Sequence, residues 1–348
     1  MTIAEERTDV IEPSARSDAS TGSATGVGSA IGGSSSGSGR PPEPPKLRKP
    51  PKPPRRMPRP QPVYAPLTPM QALVRSILAL IAALVLAFVF NLLVMSHVEH
   101  FAAQQQLSDT YRAQLAAGTA PVSEGDFNDV LLPDGAPVGV LTIPQLGLRE
   151  IVSEGTSSGV LNSGPGHRRD TVLPGQVGVS VVMGRAAAFG GPFARLQSLQ
   201  PGDQFEVRTG QGANTFEVMG LRYAGDPTPP APVKGESRLI LMTARGAPFV
   251  PVGIAYVDAK LVGTAQPAGA RQTTPITLPP SNKPMATDIT TVWALVFALQ
   301  FLVAAEIAAV WAFRRVGAQK TWIVFVPVLL LASLLVADQL TRLLPNLL

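Results

Sequence analysis

Six short apolar runs decide the fold class: VGVLTI (138–143), GVSVVM (178–183), QFEVRT (204–209), NTFEVMG (214–220), RLILMT (238–243) and IAYVDAKLV (254–262). They are rich in Val, Ile, Phe, Tyr and Thr, and Gly, Pro, Asn and Asp punctuate the chain between them. Short β-prone runs separated by turn formers predict a mostly antiparallel β barrel or sandwich. The region 138–263 is long enough to enclose one core.

Outward from this region the composition changes on both sides. Residues 264–288 are rich in Pro, Thr and Ser and read as a tether. Residues 97–137 read as a helical stalk followed by a loop. Beyond them lie three long apolar segments, expected as transmembrane helices at 72–96, 289–313 and 321–344. The first contains SILALIAALVLAFVFNLLVM (76–95), which at about 1.5 Å per residue spans a bilayer core of about 30 Å. A secretory signal peptide is the weaker reading of that segment, because a long stretch precedes it. Residues 1–62 are a Gly/Ser-rich stretch and then a Pro-rich basic run, and read as a disordered tail. Between 40 and 60 there are eight Lys/Arg against one Glu. Arg314, Arg315 and Lys320 lie between the last two spans. Both charge signals put the tail and that loop in the cytoplasm, and the β domain and C-terminus outside.

Charge and composition exclude several classes. The net charge of +5 is concentrated in the tail. From 138 to 263 there are eleven basic and nine acidic residues, too near neutrality for a nucleic-acid-binding domain. The chain has no cysteine and three histidines. Disulfides, thiolate nucleophiles and Cys-ligated metals are therefore excluded, and neither a metal nor another cofactor is expected.

The β region resembles the sortase family, the actinobacterial class E type most. The resemblance is carried by PVGVLTIPQLGL (137–148), GPGH (164–167), LPGQVG (173–178), GRAAAFGGPFARLQSLQPGD (184–203) and LILMTA (239–244), in that order. It implies a sortase-like β-barrel outside the membrane, joined to three transmembrane α-helices. It also implies a groove that holds an extended peptide for thiol-mediated acyl transfer to an amine. Carried over residue by residue, the family's histidine falls on Arg185, its cysteine on Ala244 and its arginine near Ile254. Alanine cannot attack a carbonyl, and guanidinium is no base near neutral pH. The expectation is therefore a pseudo-sortase that is not an enzyme, working as a binding or scaffold subunit. The alternatives are a transpeptidase or hydrolase acting through substitute residues such as Thr243 with His167, and an accessory subunit of a membrane transport complex.

The groove candidates are Arg185, Thr243, Ala244, Arg245 and His167. Arg185 beside a small apolar floor suits a carboxylate, a phosphate or an acidic peptide; its rival reading pairs it with Asp203 or Glu206. His167 reads as a wall residue with a structural hydrogen bond. Glu306 lies inside the second span, where a lone carboxylate is costly; it marks a contact with a membrane partner, or it is neutral and bonded within the helix bundle. The expected partners are another membrane or cell-envelope protein, or a peptide or cell-wall intermediate, with anionic lipid against the basic tail.

Overall fold

The computed structural model describes residues 68–348 apart from Phe127 and Asp129. The expectations for the tail, 1–62, lie outside the described residues. Helix α1, Pro69–Phe90, opens on a reciprocal cap between Thr68 and Gln71 with proline in the first turn, where a missing N–H costs nothing. A π-helical turn, Asn91–Met95, joins it to α2, Ser96–Ala117. The first span and the stalk are thus one helix with a wide turn at the join. Gly118 ends it at φ 68°, the left-handed conformation that glycine adopts without a Cβ penalty.

Eight strands follow: β1 Pro137–Ile143, β2 Leu148–Glu154, β3 Gly166–His167, β4 Gly178–Met183, β5 Gln204–Thr209, β6 Gly212–Tyr223, β7 Ser237–Ala247 and β8 Val250–Val262. They close a barrel in the order β1-β2-β3-β4-β7-β8-β6-β5, with β5 returning to pair antiparallel with β1. The pairs β2/β3 and β4/β7 are parallel and the rest antiparallel. A short helix α3, Ser158–Leu161, crosses between β2 and β3.

The period-2 alternation of the strands sorts side chains to two faces. On β7, Leu239 and Leu241 point into the barrel with Val257, Val182, Phe205 and Phe216. Ile240, Met242 and Ala244 take the opposite face, with Val181 and Met183 from β4. That outer patch is an apolar second core, and it carries the site described below.

The two regions read as stalk and tether both pack on the barrel. From α2, Gln104 donates to the carbonyls of Ile151 and Ser163 and accepts from the Ile151 N–H, and His100 meets Glu150 at 2.9 Å. In the 264–288 stretch, Gln266 bridges to Gln176, the Thr273 N–H donates to Glu124, and Asn282 is buried against Thr156. After it, α4 Val292–Val316 and α5 Ala318–Arg342 form a hairpin about Gly317. Small residues let the hairpin close: Ala298 and Leu302 meet Ala332 and Val336, with Leu84 of α1 alongside. The outward faces remain apolar, with Trp293, Phe301, Trp311 and Trp322 exposed. Among the described residues, three helices are long and apolar enough to cross a membrane.

Candidate functional site

The site lies where β4 ends beside β7. The parallel register sets Met183 against Met242. One step on, the Gly184 N–H donates to the Met242 carbonyl at 3.0 Å, and Thr243 Oγ1 donates to the Gly184 carbonyl at 2.9 Å. Gly184 is required here, since a Cβ would lie 2.5 Å from the Phe193 ring. Across the β7/β8 ladder, Ala244 faces Ile254. The fold therefore brings Arg185, Ala244 and Ile254, three positions far apart in the chain, around one patch.

Arg185 is fully buried. Its guanidinium donates to the Ser158 carbonyl (3.1 Å) and hydroxyl (2.8 Å), to Asn162 Oδ1 (2.7 Å) and to the Leu348 backbone oxygen (3.2 Å). Its Cζ stands 5.0 Å from the centre of the Phe189 ring. The Nε–H has no partner. Among the described residues no side-chain carboxylate lies within ion-pair distance of Arg185. The rival pairing with Asp203 or Glu206 is not formed: Asp203 accepts from the Gln200 N–H, and Glu206 meets Arg208 at 3.5 Å. Burial pushes the Arg185 guanidinium down to about 9, which leaves it cationic at neutral pH. A fully desolvated cation without a side-chain counter-ion is a poised anion or carbonyl site.

The remaining candidates separate. Thr243 shares the barrel-facing parity of Leu239 and Leu241 and spends its hydroxyl on Gly184, so it stands away from the groove floor. Arg245 is exposed and stacks 4.0 Å over Tyr223. His167 is buried with Nδ1 2.9 Å from Glu154 Oε2 and Nε2 2.8 Å from the Val172 carbonyl. Both ring nitrogens are engaged, as in the structural reading of this histidine. Thr243 and His167 have no hydrogen bond to one another.

Sequence reasoning missed what covers the site. Residues 344–348, LPNLL, fold back from α5 into the groove. Leu347 is fully buried among Leu161, Val181, Met183, Met242 and Ala244. Its carbonyl accepts from the Ala186 N–H at 2.9 Å. Asn346 donates to the carbonyls of Thr156 (2.8 Å) and Lys283 (3.0 Å), while its own N–H donates to the Ala286 carbonyl (3.0 Å). The signal available in the sequence was a proline and a polar amide set among leucines, where α5 stops.

Comparison with known proteins bears on this barrel directly. Residues 141–249 match the sortase domain. Sortase D of Bacillus subtilis (strain 168) is 29% identical over 120 residues, covering 34% of this chain; the chain spans 59% of the length of that relative. Among solved structures, a mutant sortase E from Streptomyces avermitilis is 28% identical, with 38% of this chain and 92% of that one covered at a TM-score of 0.33. A Clostridium perfringens sortase D5 transpeptidase is 17% identical, with 48% and 99% covered at 0.37. The sortase-domain match and the Sortase D relative correct the expectation that the chain is not an enzyme, since both point to a transpeptidase family. The physical reason is that a motif position assigns a role only by analogy, whereas a fold can supply a reacting group from elsewhere on the groove.

Proposed function

We propose that this chain, whose residues 141–249 match the sortase domain, is a membrane-anchored peptide-binding subunit at the outer face of the cytoplasmic membrane of a Gram-positive-type cell envelope. One observation carries the reading: the groove over Ala244 accommodates a peptide segment, residues 344–348, through main-chain hydrogen bonds, an apolar side-chain pocket and a buried guanidinium. Those are the three elements by which an extended peptide is held. The orientation rests on Arg314, Arg315 and Lys320 between α4 and α5 and on the basic run at 40–60, both cytoplasmic by the positive-inside rule. Hydrogen exchange on the full chain in detergent tests the reading. Excess sorting-signal-type peptide is expected to alter protection at 156–162, 183–187 and 242–245; unchanged exchange there across a varied peptide set rules it out.

The membrane partner of this subunit meets it at Glu306. That carboxylate is half-buried in α4 and has no hydrogen-bond or ion-pair partner among the described residues. A carboxylate in hydrocarbon is stable only when it is neutral or paired. Glu306→Leu is expected to leave the protein folded and to remove the partner from mild-detergent co-purification. Unchanged recovery of the partner would discard Glu306 as the contact.

A second reading, peptide transfer or hydrolysis, is favoured by the match over residues 141–249. Incubation of the full protein with sorting-signal peptides and an amine acceptor checks it. Neither transfer nor cleavage product across that set would exclude it.

A further inference from the structure

The groove is filled by the chain itself, and its occupant has more polar complementarity than a simple apolar stopper needs. Asn346 is fully buried, with both its amide hydrogens and its backbone N–H directed at groove carbonyls. Leu347 supplies the side chain over Ala244, and the Leu348 backbone oxygen is aimed at Arg185. The wall that receives Asn346 is itself built. Thr156 donates its N–H and hydroxyl to Asn282, which holds the 280–286 stretch in place beside Asn346. Two buried atoms are left unsatisfied with this occupant in place, Arg185 Nε and Asn346 Oδ1. Each costs free energy for as long as the segment stays there. The fit is specific, and two of its polar atoms stay unpaired.

We propose that residues 344–348 are a built-in competitor for this groove. The ligand they hold off is a peptide that presents asparagine followed by two aliphatic residues, with a carboxylate at Arg185. This rests on the peptide-binding reading above and names the ligand class of that site. Asparagine fits because its side-chain amide donates to the Thr156 and Lys283 carbonyls at once without burying a second charge beside Arg185. The next position is aliphatic because its pocket is lined by Leu161, Val181, Met183, Met242 and Ala244. A carboxylate is preferred because the guanidinium is desolvated and lacks a side-chain counter-ion among the described residues, so a full negative charge there makes a charge-assisted bond. The segment joins α5 directly, so its local concentration at the groove is about millimolar, the range for short connections. A peptide of equal intrinsic affinity then competes poorly until that occupant leaves.

The test uses the full chain in detergent and a fluorescein-labelled peptide, Leu-Leu-Pro-Asn-Leu-Leu with a free carboxylate, followed by anisotropy. Leu347→Asp evicts the segment without touching the groove wall. It is expected to bind the peptide at least about tenfold more tightly than the wild type, the gain that follows when a groove occupied nine-tenths of the time is vacated. In that background the peptide amide, and the peptide with Ala for Asn, are each expected to lose most of the gain. Because Leu347→Asp could act by loosening the fold, a second arm locks the segment. The native chain has no cysteine, so Ala186→Cys with Leu347→Cys forms the one disulfide available. Oxidation is expected to abolish binding and reduction to restore it. Equal binding by the wild type, Leu347→Asp and the oxidised pair would overturn the competitor proposal while leaving peptide binding intact. No binding by any form overturns the ligand class, and if the exchange experiment above is also blank, the peptide-binding reading fails with it.

Discussion

Arg185 stands at the position where every element of the groove converges. It takes Ser158 and Asn162 from the α3 region, Phe189 from its own loop and Leu348 from beyond α5. Two effects oppose each other there. Desolvating the cation is costly, while four donated hydrogen bonds and the ring recover much of the cost. The balance predicts an order of variants. Arg185→Lys keeps the charge and its desolvation but loses the planar fork that reaches several acceptors. Arg185→Met removes both charge and donors. Arg185→Lys is therefore expected to be the less stable, by about 2 kcal/mol, read as the lower melting temperature of the two proteins in one detergent. A more stable Lys variant would mean that the hydrogen bonds contribute little. Within the β2/β3 pair, His167 and Glu154 form a fully buried pair. Glu154→Ala leaves the imidazole without its partner and is expected to cost about 3–5 kcal/mol, measured by denaturant titration. A change below about 1 kcal/mol would show that the pair is replaceable by its surroundings.

At the level of elements, the turn that follows β4 does the most to shape the site. Gly184 lies against Phe193, and Phe189, Gly190 and Gly191 all have positive φ. This folds the chain sharply enough to turn the Arg185 side chain inward beneath residues 344–348. Leu92 of the π-helical turn and Leu344 pack on the same loop, against Ala188 and Phe189. The groove is thus roofed by residues that belong to membrane helices or follow them. Gly184→Ala forces its new methyl into the Phe193 ring and is expected to cost about 1–3 kcal/mol. Hydrogen exchange should rise at 184–191 in that variant. Unchanged exchange would mean that the ring moves aside freely. The segment read as a stalk belongs to the same picture: α2 lies along β2 through Gln104 and His100, so barrel and membrane helix are coupled by contact as well as by chain connection.

Across the whole molecule, the positive-inside reading puts the barrel, α2 and residues 344–348 on one side of the expected bilayer and the Gly317 turn on the other. The two spans between the barrel and residues 344–348, α4 and α5, demand this arrangement, and it can be measured with single cysteines because the native chain has none. Gln200→Cys, at the exposed start of the turn before β5, is expected to react with an impermeant maleimide on intact cells. Gly317→Cys should react only after permeabilisation. Labelling of Gly317→Cys in intact cells would invert the topology. Between Val292 and Phe313 the outward face of α4 is apolar except at Gln300 and Glu306, and the proposed partner is sought there.

Local pattern along the chain dictates the class of every layer. Strand-length apolar runs between turn formers make a β domain, because a period-2 pattern can bury only one face of an extended chain. Segments long and apolar enough to span hydrocarbon make the helices. The resemblance of the motifs from 137 to 244 to the sortase family implied that Arg185, Ala244 and a residue near Ile254 share one place, and the pairing of β4 with β7 and of β7 with β8 is what brings them together. The assembled fold settled the rest: that Thr243 turns inward by strand parity, that Arg185 has no carboxylate for company, and that residues 344–348 lie in the groove. These facts depend on contacts between residues more than a hundred positions apart, such as Asn346 with Thr156 and Arg185 with Leu348. A short apolar stretch after a membrane helix has the same local composition whether it ends in lipid, in water or in a binding site. Which of these it enters is decided by the shape and unsatisfied hydrogen bonds of the surface it meets.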